Sequence, residues 1–135
     1  MKKNIFFNDN FNKKIISLVK MCIIFIFLDF LWIFYNKKMY NNLAKLIQGE
    51  DIYINFNKLI SIAVIYFFLL IGLYYFVIDN KTTYSDSIIY GAVVYGVYSF
   101  TNYLLFKKYP LRLAIVDTLW GIMLCYFTKM IYYNI

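Results

Sequence analysis

The stretch "IISLVKMCIIFIFLDFLWIFY", Ile15 to Tyr35, decides how the rest of the chain is read. As a helix at 1.5 Å per residue it reaches about 30 Å, the thickness of a bilayer's hydrocarbon core. Only Lys20 near its start and Asp29 near its end interrupt the apolar run. Lys13 and Lys14 precede it as they would a secretory signal, but the apolar run is long and no small-residue cleavage site follows. It therefore reads as a retained anchor.

Asp29 opens a tetrapeptide, "DFLW", whose D-x-L-W pattern returns as "DTLW" at Asp117 to Trp120, again inside an apolar run. The whole composition agrees with a membrane. Of 135 residues, 63% are hydrophobic and 16% charged, which is too apolar for a soluble domain of this size. Ile, Lys, Asn, Tyr and Phe are over-used together, as an AT-rich genome would produce, so a single Tyr or Phe carries little weight. The net charge of +7 comes mainly from lysines flanking apolar segments, where they meet headgroups, and no nucleic-acid role is expected. Cys22 and Cys125 fall within apolar runs and read as small buried hydrophobes. With no histidine in the chain, the usual metal ligand and general base are missing, and no metal, cofactor or catalytic residue is assigned.

Four stretches are long enough to cross: Ile15 to Tyr35, Leu59 to Ile78, Ser85 to Phe106 and Leu111 to Tyr132. The links "DNKTTY" from Asp79 and "KKYP" from Lys107 are short and imply antiparallel neighbours, with Pro110 at the start of the fourth helix. The expected architecture is thus all-α, a single transmembrane domain over residues 1–135. It is an integral membrane four-helix bundle, antiparallel, with both termini on one side. In the longer first link, Asn36 to Lys58, the stripe Met39, Leu43, Leu46 and Ile47 fits a short helix lying in the interface, or alternatively a solvated loop. Seven lysines on one side balance seven basic residues on the other, so the positive-inside rule returns a tie. The lysines clustered at the N-terminal end favour a cytoplasmic N-terminus.

Asp29 lies six residues before the end of the first span and Asp117 six residues after the start of the fourth. Both spans meet the same surface there, which puts the two carboxylates at one level, roughly 9 Å below it. The last turns of the third span, "YSFTN", bring Tyr98, Ser99, Thr101 and Asn102 to comparable depth. Tyr95, Tyr98 and Asn102 share a helix face, Gly91 and Gly96 admit a neighbouring backbone, and Ser61 could join from the second span. A membrane-buried carboxylate costs about 2.5 to 3.5 kcal/mol even on the lenient insertion scale, so the pair is expected to face inward and to share a proton, with Asn102 or a tyrosine hydroxyl donating. Polar side chains that merely hold helices together are the competing reading, and Trp32 near a membrane surface needs no ligand to explain it.

The run "YGVYSFTNYLLFKKYPLRLAIVDTLWG", Tyr95 to Gly121, resembles the signature of the DUF2177 family of small four-span membrane proteins: G-x-Y-D-L-T-N, then Trp-Pro, then D-x-x-W-G. "LDFLW" and the Tyr40 region are similar to that family as well. The resemblance implies importance for Asp29, Trp32, Gly96, Tyr98, Thr101, Asn102, Pro110, Asp117, Trp120 and Gly121. The chain departs from the pattern at Ser99, where Asp is usual, and at Tyr109, where Trp is usual. The resemblance implies no activity.

Three functions are consistent with these features. The first is a small transporter, channel or solute-binding protein with the Asp pair handling a proton or cation, acting in the bilayer as a homo-oligomer. The second is a structural or assembly protein, in a cellular or viral membrane, whose polar layer fixes packing. The third, ranked last for want of a nucleophile motif, a histidine cluster or a phosphate-binding glycine loop, is a lipid-modifying enzyme.

Overall fold

The computed structural model describes residues 3–80 and 82–135, with side chains described from residue 10 onward. Lys2, Lys81 and the side chain of Lys3, all part of the lysine tally, lie outside that description. The described residues form helices α1 (Lys3–Gln48), α2 (Phe56–Leu73), α3 (Tyr84–Leu105) and α4 (Leu111–Asn134), each long and apolar enough to cross a membrane, and no strand.

Each helix boundary has a local cause. Gly49 ends α1 in the left-handed region, φ 83°, and returns its N–H to the Lys45 carbonyl at 3.0 Å. Asn55 begins α2 by accepting the Lys58 N–H at 3.0 Å. Asp86 closes the first turn of α3, accepting the Thr83 N–H at 2.7 Å and its hydroxyl at 2.6 Å. Pro110 stands immediately before α4 and presents its carbonyl to the N–H groups of Leu113 and Ala114. The last residues of α2 widen into a π-helical turn, Tyr74–Ile78, with the Asp79 N–H bonded to the Tyr74 carbonyl at 2.8 Å.

The segment read as a separate interfacial helix or a loop is neither. Residues 36–48 continue α1 without a break, because nothing before Gly49 disfavours helix. The stripe Met39, Leu43 and Ile47 has a packing surface in Tyr109, Leu113 and Ala114. Beyond Gly49 the link is held to α1 by Asn41, which bonds both the Asp51 carboxylate and, at 2.9 Å, the Ile52 N–H. Asn41 and then Lys45 hold the exposed Asp51 carboxyl below its usual range.

Helices α3 and α4 pack most intimately. Lys129 meets Thr82 and Thr83 at one end, Gly91 meets Gly121 in the middle, and Gly96 meets Thr118 further along, so residue numbers rise on one helix as they fall on the other. A Cβ placed on Gly91 would lie 2.5 Å from the Gly121 carbonyl oxygen, and one on Gly121 would collide with the Tyr95 ring. Two apolar clusters form the interior. Met21, Phe25, Leu70, Leu73, Val77, Ile78, Leu124 and Cys125 make the larger; Tyr109, Leu113 and Ala114 with the α1 stripe make the smaller. In chain order on both α1 and α4, the two D-x-L-W segments fall between these clusters.

Candidate functional site

A row of every fourth residue on α4, Leu113, Asp117, Gly121, Cys125 and Lys129, is buried, and on α1 the row Met21, Phe25 and Asp29 is buried too. These rows aim both carboxylates inward, and each aspartate is 8% exposed. The Tyr66 hydroxyl on α2 donates to Asp29 Oδ2 at 2.6 Å, and the Trp120 indole N–H donates to Asp29 Oδ1 at 3.0 Å. Across the layer, the Tyr40 hydroxyl donates to Asp117 Oδ1 at 2.8 Å and accepts the Trp32 indole N–H at 2.9 Å. The Tyr109 hydroxyl reaches Asp117 Oδ2 at a longer 3.4 Å. Tyr109 sits in the α3–α4 link, where burial pushes its phenol above the usual tyrosine range.

The two indoles stack, centroids 4.4 Å apart and planes 6° from parallel. Each motif's tryptophan therefore serves the other motif's aspartate: Trp120 directly, Trp32 through Tyr40. The result is a single connected layer running Tyr66, Asp29, Trp120, Trp32, Tyr40, Asp117, Tyr109. Among the described residues, no Lys or Arg nitrogen lies within 4.0 Å of either Asp29 or Asp117, so all four donors are neutral groups.

Other residues singled out from the sequence are placed elsewhere. Asn102 is half-buried at the end of α3; its side chain bonds neither carboxylate but lies beside the Tyr109 hydroxyl, at the edge of the layer. Tyr98 is 63% exposed and Thr101 is exposed, so both point away from the layer. Tyr95 is half-buried against Gly121, and it shares one face of the continuous α3 with Asn102 and with Tyr98, which lies at the exposed edge of that face. Ser99 is fully buried, with a hydroxyl that finds no partner. Ser61 is exposed and bonds the Asn57 carbonyl of its own helix at 3.2 Å. The tyrosines that do serve the carboxylates, Tyr40, Tyr66 and Tyr109, are not distinguishable by residue type among the chain's 15 tyrosines. Only spacing singles out Tyr40, which follows Trp32 by two helical turns.

A second buried polar group lies beyond the larger apolar cluster. Lys129 is 2% exposed, and its ammonium donates to the Thr83 carbonyl at 2.7 Å, to the Thr82 carbonyl and hydroxyl, the latter at 3.0 Å, and to the Val77 carbonyl at 3.5 Å. The cation thus closes the π-helical end of α2 and the turn into α3, where free carbonyls accumulate.

Four apolar helices enclosing a polar layer define an integral, multi-pass membrane protein. The family described as "Predicted membrane protein (DUF2177)" matches residues 14–133, and the chain belongs to that family. No curated protein and no solved structure matches it.

Proposed function

We propose that the protein is a small membrane transporter, channel or solute-binding protein in which Asp29 and Asp117 take up a proton or a cation. One observation carries this reading: two buried carboxylates share a hydrogen-bonded layer whose partners are all neutral. A carboxylate withdrawn from water without a counter-charge is costly to keep ionised, and a proton or a cation removes that cost. The tyrosine hydroxyls can reorient as donors or acceptors, so the layer can follow a change in charge without moving a helix. A second copy of the chain would supply the remaining wall of a pathway.

Flux tests this directly. In proteoliposomes carrying a pH or monovalent-cation gradient, Asp117→Asn is expected to lower flux at least about tenfold, the effect of losing roughly 1.4 kcal/mol of differential stabilisation. Flux equal to wild type would overturn the proposal.

The purely architectural reading has its own support in the Trp32–Trp120 stack, which closes the layer with groups from the chain itself. In that case Asp29→Asn, which still accepts from Trp120, preserves both stability and localisation, while Asp29→Leu lowers thermal stability in detergent. Unchanged stability in both variants would exclude it.

A further inference from the structure

The C-terminal half of α1 and the first turns of α4 bound a groove of about 480 Å³, within the range of small-ligand pockets. Its floor is apolar, made by Met39, Leu43, Leu113 and Val116, and its polar lining is Asn36, Asn42 and Arg112. Arg112 is exposed at the second residue of α4, the level at which that helix enters the bilayer. Among the described residues it makes neither a hydrogen bond nor an ion pair. The Asn42 side chain likewise has no partner, and Asn36 spends only its amide N–H₂, on the Trp32 carbonyl at 3.0 Å.

The surrounding charge is mainly positive. Lys37 and Lys38 follow Asn36, and Lys107 and Lys108 precede Pro110. On this side of the chain the carboxylates outside the polar layer are Glu50 and Asp51, and Asp51 is engaged by Lys45 at 3.1 Å. An apolar trough ending in an unpaired guanidinium and the Asn42 amide, inside a basic field, has the chemistry of an acyl chain below and a phosphate above.

We propose that this groove is a binding site for one anionic phospholipid. The acyl chain lies along Met39, Leu43, Leu113 and Val116, and the phosphate is gripped by Arg112 with Asn42 beside it, while Asn36, six residues earlier on α1, lies deeper in the groove. The proposal is independent of the Asp layer. Arginine's planar fork can hold two phosphate oxygens at once, which an ammonium on a flexible stem does not reproduce.

The test is native mass spectrometry of the full chain released from detergent. Retention of phosphatidylglycerol is compared with that of phosphatidylcholine of the same acyl chains, with inorganic phosphate as a third probe. One phosphatidylglycerol per chain is expected to survive, with phosphatidylcholine at least about tenfold weaker and phosphate failing to compete at millimolar concentration. Arg112→Gln, at an exposed position that leaves the helical circular dichroism unchanged, should abolish that preference. Asn42→Leu, also exposed, should weaken both lipids alike, since both carry the phosphate it contacts, and leave the preference between them as it was. Lys13→Gln, at the opposite end of α1, should change nothing. Equal retention of the two lipids, an unaltered preference in Arg112→Gln, competition by free phosphate, or a groove protected only in a dimer would each overturn the assignment.

Discussion

The Asp29–Asp117 layer and the Lys129 site both hide ionisable groups, and they solve the problem in opposite ways. Lys129 is surrounded by backbone carbonyls at the end of α2, whose positions are fixed by the π-helical turn and by the turn into α3. The two aspartates are met by side-chain donors from α1, α2, α4 and the α3–α4 link, none of them charged. Fixed dipoles suit a permanent charge and resist change; rotatable hydroxyls suit a charge that comes and goes. On the function proposed above, Lys129 belongs to the architecture and the aspartate layer to the transport chemistry, and substitutions at each can separate the two.

The largest stability effect is expected at Lys129. Replacing it with methionine keeps the apolar stem but leaves the Thr82 carbonyl without its donor and takes one of two donors from the Thr83 carbonyl, which keeps the Asp86 N–H at 3.2 Å. Losing charged hydrogen bonds of this kind costs about 3 kcal/mol. Reversible unfolding in mixed micelles should show that loss in Lys129→Met, with flux per folded molecule unchanged. A variant as stable as wild type would mean that water reaches those carbonyls and that the contrast between the two regions is false.

An intermediate effect is expected within the aspartate layer. Tyr40→Phe removes a donor to Asp117 and the acceptor of the Trp32 N–H together, costing about 2 kcal/mol, whereas Tyr66→Phe removes one bond to Asp29 and costs about 1 kcal/mol. The chain has only two tryptophans, and they are the stacked pair, so the longest-wavelength tryptophan bands of the near-ultraviolet circular dichroism, beyond tyrosine absorption, report on this layer. Tyr40→Phe should alter the coupled indole signal, and Tyr66→Phe should leave it close to wild type. Equal spectral changes in both variants would show that the stack does not depend on the Tyr40 relay.

Much of the fold is visible in the chain before any coordinates, because apolar length is a strong signal and four stretches carry it. Asp29 and Asp117 also stand out, since a carboxylate in an apolar run has few tolerable destinations. Their partners do not. A depth count from the membrane surface pointed to Ser61, but a tyrosine reaches several ångströms further than a serine, and Tyr66 meets Asp29 from over a turn deeper in α2. A tyrosine hydroxyl is an expected donor, but with 15 tyrosines in the chain residue type alone does not say which three supply it. Lys129 counts, by its place near the end of the fourth span, among the basic residues of the N-terminal side, which says nothing of its burial. The signal that places it inside is its membership of the same every-fourth-residue row as Asp117, Gly121 and Cys125. The unbroken length of α1 is obscured by its lysines, Lys37 and Lys38, which look like the end of a span although the helix runs on to Gln48.

The smallest expected effect is at Ser99. Burial of a hydroxyl is tolerated when it finds a partner, and the Ser99 hydroxyl, fully enclosed between α3 and its neighbours, has none. Removing it takes away a desolvated polar group and no hydrogen bond, while the Cβ that fills the interface stays. Ser99→Ala should therefore leave stability unchanged or raise it by up to about 1 kcal/mol. Flux, if the aspartate layer carries it, should be unaffected, because Ser99 donates to neither carboxylate. A measurable loss of stability in Ser99→Ala would reveal a partner for that hydroxyl, such as a buried water, and would extend the polar layer into α3, where the related family usually carries an aspartate. No loss would confine the layer to α1, α2, α4 and the α3–α4 link, and would leave α3 as the helix whose close glycine packing positions α4 rather than one that supplies chemistry.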